Sequence, residues 1–456
     1  MSLTLLLVAM VIFAFGCSHW LAQRASPRAS ATGVEYVVLG WLLGPQLRPQ
    51  VLTTAYLETL APLISLMLGL VGFIVGLRAR RLVVRADAGL AGTLVALAVT
   101  AAVGLAALLL QYQLLPAPAG QPWAIDWPIV EIGGWLLELR ATSGQLWLAL
   151  TLGAAACVCG SAVVERAVQS TPGSGRSRGF LTSVASGTEG VALILLGITL
   201  AAARSGEGQA RYGMGVTEWV VAAIGLGVLC GALFTLLIGR ERDTMRMFLT
   251  SVGVVTFASG IGSALGVSPL FVNLLLGVTV AAASPHADEL LREVTRLSQP
   301  VNVLVLVFAG ALWSPVQGWQ WFFPLAYIVV RYIALRVATP FVARHALEEP
   351  LRTERLGHAL LGQGGIAVAI GVSVALRFEE HSAVVLTTVL ASTLWSAIWS
   401  QDGVRSVLLD ADDQTPGASL SDVEERAAGV ATVDEAASAS EPAPGVGALV
   451  TDEVSG

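Results

Sequence analysis

One carboxylate stands where carboxylates are rare. Glu189 lies near the middle of GFLTSVASGTEGVALILLGITLAAA, an apolar run between Arg178 and Arg204 long enough to cross a bilayer. A charge at that depth costs on the order of 3 kcal/mol, so it is seldom accidental. Arg331 reaches a similar depth in LAYIVVRYIALRVATPF, with Arg336 following on the same run. An arginine does not deprotonate in a protein and needs a partner there; Glu189 and Glu165 are the two candidates. Such a pair is either purely structural or lines a transport path. A small hard cation takes oxygen ligands. Glu189, the hydroxyls of Thr188 and Ser161, and carbonyls freed where a helix opens form a suitable set. Burial and a neighbouring arginine act in opposite senses on the charge of a carboxylate, so a proton and a cation can compete for Glu189. With one exchangeable charge, the simplest stoichiometry is one for one and electroneutral.

Two stretches look built to open a helix at that depth. TLGAAACVCGSAVVERAVQ is crowded with small residues and then places Gly160 beside Ser161; HALLGQGGIAVAIGVSVAL carries Gly362, Gln363, Gly364 and Gly365. Glycine is costly inside a helix and frees backbone groups where the helix opens. Within a membrane, open backbone is tolerated only inside protein or beside a water-filled cavity. Close helix packing through small residues is the simpler alternative.

The elements that must carry these residues follow from composition. Hydrophobic residues make up 55% of the 456 and charged residues 13%, which indicates a polytopic membrane protein rather than a soluble one. Thirteen spans are expected, at about 3–22, 32–47, 56–77, 87–112, 145–167, 178–203, 216–238, 245–265, 268–285, 297–315, 318–344, 355–377 and 382–399. The fold class is therefore all-α. With the N-terminus outside, arginines crowd alternate loops: Arg24 and Arg28, Arg78 to Arg85, Arg166 to Arg178, Arg240 to Arg246, Arg292 and Arg296, and Arg344 to Arg355. Arg48, Arg140, Arg204, Arg211 and Arg377 fall on the other side. Every second loop is rich, as the positive-inside rule requires, and an odd number of spans leaves the C-terminus in the cytoplasm of a plasma-membrane protein. The basic residues are all arginine, and the net charge of −6 reflects an acidic C-terminal stretch. Residues from about 405 to 456 are rich in Ala, Gly, Ser, Asp and Glu and are expected to be a disordered cytoplasmic tail. PWAIDWPIVEIGGW, in the long loop 113–144, reads as an interfacial segment. Cys17, Cys157, Cys159 and Cys230 all sit in apolar runs, which argues against a disulfide framework.

The spans divide into a first half of about 3–203, a linking helix of about 216–238 and a second half of about 245–399. The interrupted span is the fifth of each half, and the single linker inverts one half relative to the other. Broken helices at matching places of inverted halves point to a transporter site at the midplane.

On these residues the chain resembles the monovalent cation:proton antiporter superfamily, the sodium/proton exchanger family in its thirteen-span form, over about residues 3–400. EYVVLGWLLGP is similar to the family's second span, LMLGLVGFIVGL to its third, CGSAVVER to its first discontinuous helix, GVSPLFVNLLLGVTVA to the span before its cytoplasmic hinge, and GQGGIAVAI to its second discontinuous helix. The resemblance places Glu189 at the family's ion-binding aspartate, with Thr188 before it, and Arg331 at its basic residue. It implies two crossing discontinuous helices broken at Gly160 and at Gly364–Gly365, a core domain moving against a dimerisation domain, and a homodimer. Many members carry a glutamate where this chain has Gly365.

The leading expectation is a secondary antiporter, not an enzyme, exchanging sodium or potassium for protons by alternating access. No catalytic residue, cofactor or resident metal is assigned; the bound species are the transported cation and the proton. Two alternatives stand beside it: a transport-inactive relative acting as sensor or scaffold, and a carrier of a small organic anion held by Arg331, Arg336 and half-helix N-termini.

Overall fold

A computed structural model describes residues 33–46, 52–84, 86–114, 124–126, 130–132, 135–137, 140–169, 175–208, 215–238, 244–316, 318–346 and 356–413. The expected first span at 3–22, Cys17 and residues 414–456 lie outside the described residues. The helices of the first half are α1 (Val34–Leu43), α2 (Thr54–Val84), α3 (Ala86–Leu114), α4 (Ser143–Ala156), α5 (Ser161–Gln169) and α6 (Gly175–Gly208). Helix α7 (Val216–Ile238) links to α8 (Thr244–Leu265), α9 (Pro269–Ala283), α10 (Ala287–Leu312), α11 (Phe322–Ala346), α12 (Leu356–Ala359), α13 (Gly365–Ala375) and α14 (Glu379–Asp413). In the 113–144 loop, two short antiparallel ladders pair Ala124–Asp126 with Arg140–Thr142 and Val130–Ile132 with Trp135–Leu137.

Nine helices among the described residues are long and apolar enough to cross a membrane, with α9 and α13 as shorter apolar helices. Outward-facing side chains such as Leu229, Leu236, Phe257, Val337 and Phe341 are apolar and exposed, as a lipid-facing surface must be. The expected boundaries hold to within a turn or so for most spans, with four departures, the first being α2, which runs on to Val84 rather than ending near 77. Helix α10 starts at Ala287 rather than near 297, because ADELLREVTRLSQP is amphipathic and buries Leu290, Leu291 and Val294. Helix α11 starts at Phe322, after a 3-10 turn over Gly318–Trp321. Helix α14 continues to Asp413, so the expected disordered tail does not begin at 405; Val404, Val407 and Leu408 are buried and hold this last stretch to the bundle.

The helices group into two bundles. One contains α1, α2, α7, α8, α9 and α10; the other contains α3, α4, α5, α6, α11, α12, α13 and α14. In the first, α2 and α9 cross almost backbone to backbone. A Cβ on Gly72 would lie 2.2 Å from the Leu270 carbonyl oxygen, and one on Gly277 would lie 2.5 Å from that of Phe73. Small residues at both crossing points are what permit this approach, and they make the pair a stiff post for the second bundle.

Candidate functional site

The two expected breaks are present and meet each other. Residues 157–160 separate α4 from α5, and residues 360–364 separate α12 from α13. The Gly160 N–H donates to the Gly362 carbonyl at 2.7 Å. A Cβ on Gly160 would lie 2.7 Å from the Gly364 nitrogen, so glycine there lets the two open stretches touch.

Each break leaves helix ends with unsatisfied backbone groups and a partial charge, positive at the N-terminus and negative at the C-terminus. Glu189, from the middle of α6, serves the N-terminus of α5. Its Oε1 accepts the Ser161 N–H at 2.6 Å and its Oε2 accepts the Ser161 hydroxyl at 2.8 Å. Arg331, from α11, serves the opposite ends. Its Nε donates to the Ala156 carbonyl at 2.8 Å, Nη2 to Val158 at 3.0 Å and Nη1 to Leu361 at 2.7 Å. Both residues are about 1% exposed. One anion and one cation thus cap half-helix ends of opposite polarity.

This arrangement corrects the expected charge pair. Arg331 does not partner Glu189 or Glu165; its guanidinium is committed to carbonyls of both breaks. The partner of Glu189 is Arg78. Its Nη1 lies 3.8 Å from Oε2 and also donates to the Ser161 hydroxyl, so Ser161 bridges the pair. By sequence Arg78 belongs to an arginine-rich loop, because the apolar run ends at Leu77. Helix α2 instead runs on to Val84, which keeps Arg78 inside the protein. The available signal is the Leu82–Val83–Val84 run after the arginines, which extends the helix past its first charge.

Thr188 is buried beside the site and points to the first break. Its hydroxyl accepts the Cys159 N–H at 3.1 Å and donates to the Ala185 carbonyl at 2.8 Å. It therefore holds the open backbone of residues 157–160 in place. Gln363 ties the second break to the first: its Nε2 donates to the Ala155 carbonyl at 2.8 Å and contacts the Tyr327 hydroxyl at 3.0 Å, and its N–H donates to Ser396 Oγ at 3.1 Å. Gly365 starts α13, with the Asn302 amide where a side chain would project. Arg336 donates to the Tyr332 hydroxyl, which also meets His358 Nε2. Glu35 is half-buried at the start of α1, and Glu58 is exposed. Cys157 and Cys159 are buried thiols, and among the described residues no group of three or more His, Cys, Asp or Glu gathers as a metal site.

A cavity of about 360 Å³ leads to Glu189. Arg78, Glu165, Arg166, Asn302 and Gln363 help line it, together with Gly160, Gly364 and Gly365. Its walls come from both bundles, and it opens at the end of the molecule that carries the arginine-rich loops. A carboxylate at the floor of such a funnel can exchange protons or cations through it in this conformation.

No protein-family model matches the chain, and no curated protein matches it. Among solved structures, the chain is similar to the sodium proton antiporter MjNhaP1 from Methanocaldococcus jannaschii, with a TM-score of 0.59 at 13% identity. The match covers 90% of this chain and 99% of that one. At this identity the likeness shows the fold, that of a polytopic, all-helical membrane protein.

Proposed function

We propose that this chain is a secondary active antiporter that exchanges a monovalent cation, sodium or potassium, for a proton at Glu189. The observation that carries this reading is the position of Glu189: a buried carboxylate at the crossing of two open helices, at the floor of a cavity reaching one face. Arg78 stands where a cation would stand, neutralising Glu189 through Oε2 and through Ser161. A cation arriving down the funnel displaces Arg78 and takes Glu189 and the Ser161 hydroxyl as ligands. A proton neutralises the same carboxylate and excludes the cation. Thr188, Gln363 and Arg331 hold the two breaks so that the carboxylate keeps its geometry. Because one carboxylate carries either species, the exchange is one for one and insensitive to membrane voltage. The bundle holding α3 to α6 and α11 to α14 moves against the other, which supplies the contact surface of a homodimer. The arginine-rich end, and with it the funnel, faces the cytoplasm.

The anion-carrier alternative loses support, since each guanidinium nitrogen of Arg331 donates to a backbone carbonyl. The transport-inactive alternative gains one observation: a guanidinium already stands against the carboxylate. Proteoliposomes with an internal pH dye separate the readings. Addition of sodium or potassium should collapse an imposed proton gradient for the wild type and not for Glu189→Gln. If no alkali cation does so and the two proteins behave alike, the inactive reading takes its place.

A further inference from the structure

A second cavity, of about 320 Å³, opens at the opposite end of the molecule from the funnel. It lies on the seam between the bundles. Leu200 and Arg204 of α6 and Ser373 to Phe378 at the end of α13 form one wall; Ser65 of α2, Ser263 and Gly266 at the end of α8, and Pro269 at the start of α9 form the other. Its polar lining is uniformly of one kind. Arg204 and Arg377 bring two guanidinium groups, Ser65, Ser263 and Ser373 bring hydroxyls, and its lining residues include no carboxylate.

Three further features lie in the chamber or beside it. Pro269 opens α9, so the positive end of a fifteen-residue helix meets the chamber. Ser268, the N-cap of that helix, makes no capping bond, and its buried hydroxyl has no hydrogen-bond partner among the described residues. Ser373 lines the chamber, is 2% exposed, and its hydroxyl likewise has no partner among the described residues. A buried hydroxyl without a partner costs about 1–3 kcal/mol, which a ligand accepting its hydrogen bond would recover. Each arginine also contacts a group beside the chamber. Arg377 donates one Nη2 bond to the Val267 carbonyl, and Arg204 stacks 5.7 Å from the Trp219 ring centre. Gly266 turns the chain at a φ of 78°, and a side chain there would collide with Arg204. Both arginines line the chamber.

We propose that this chamber binds a small inorganic anion, with chloride as the simplest occupant, between Arg204, Arg377, the Ser373 hydroxyl and the amino end of α9. Bound there, the anion bridges the two bundles at the end whose cavity does not reach Glu189, and so stabilises the conformation in which the funnel does. This binding does not depend on the exchange reaction at Glu189.

The test is a thermal-melting titration of the purified full-length protein in detergent. Chloride replaces gluconate at constant pH and ionic strength, which removes general salt effects. The wild type should show saturable stabilisation by chloride. Ser373→Ala, a change too small to disturb the fold, should weaken the apparent affinity about tenfold, and Arg377→Gln should abolish the response. A melting temperature independent of chloride overturns the proposal. So does a Ser373→Ala protein that responds with wild-type affinity.

Discussion

Glu189, Ser161 and Arg78 form a small linked unit, and its energetics can be tested without transport. Removing one partner of a buried ion pair costs about 3–5 kcal/mol, because the other charge is left enclosed. Arg78→Gln should therefore lower the melting temperature, since Glu189 is 1% exposed and loses the positive charge paired with it. Glu189→Gln should cost less, because the Arg78 head group lines the funnel and can rehydrate. The double variant should be more stable than the sum of the single effects implies, by at least about 1 kcal/mol; strict additivity would mean that the two side chains do not interact. Glu189→Asp shortens the side chain by one methylene and cannot keep both Ser161 bonds, now 2.6 and 2.8 Å. It should raise the KM for the transported cation with a smaller change in maximal rate.

Among the elements, the two breaks are the parts most dependent on single residues. Arg331 satisfies three carbonyls that no helix bond serves. Lysine offers a single ammonium on a flexible stem in place of a planar fork, so Arg331→Lys should be destabilised by about 2 kcal/mol. Arg331→Met should not fold to a monodisperse species on size-exclusion chromatography. Gly160→Ala places a Cβ 2.7 Å from Gly364 N; it should cut transport sharply while leaving helical content by circular dichroism unchanged. The breaks are legible in the sequence because glycine clusters in an apolar run have few other uses. So is Glu189, a lone charge where none is cheap. Which charge meets which is not legible. Arg331 and Arg78 both carry guanidinium groups, and only the path of α2 beyond Leu77 decides that Arg78 reaches the carboxylate. Thr188 adjoins Glu189 in sequence and so looks like a second ligand, but on a helix adjacent residues point in different directions, and its hydroxyl turns to Cys159. The end of α14 is hidden for another reason: an average over an acidic stretch masks three buried apolar residues at its start. Truncation after residue 399 removes Val404, Val407 and Leu408 and should destabilise by several kcal/mol, at roughly 1.5–3 kcal/mol per side chain.

At the scale of the whole molecule, the functional statement is that two bundles meet along a seam with a cavity at each end, of which only the funnel reaches Glu189. The funnel reaches Glu189 from one face, while Arg204 and Arg377 lie against the Gly266–Val267 turn at the other. Exchange requires the reverse state as well. The Asn302→Cys side chain should react with a membrane-impermeant thiol reagent from the funnel side, and its reaction should slow when transported cation cycles the protein. A rate unaffected by cation would mean that the seam does not move.

The central claim is that one proton and one cation compete for one carboxylate. Isothermal titration calorimetry of the purified protein with sodium, potassium and lithium, in buffers of differing ionisation enthalpy, counts the protons released per cation bound. At a pH low enough that Glu189 is protonated before the cation binds, one proton should be released for each cation in the wild type, and Glu189→Gln should not bind; at a pH where Glu189 is ionised against Arg78, proton release should fall away. Cation binding at the lower pH without proton release, or equal binding by the variant, would contradict it.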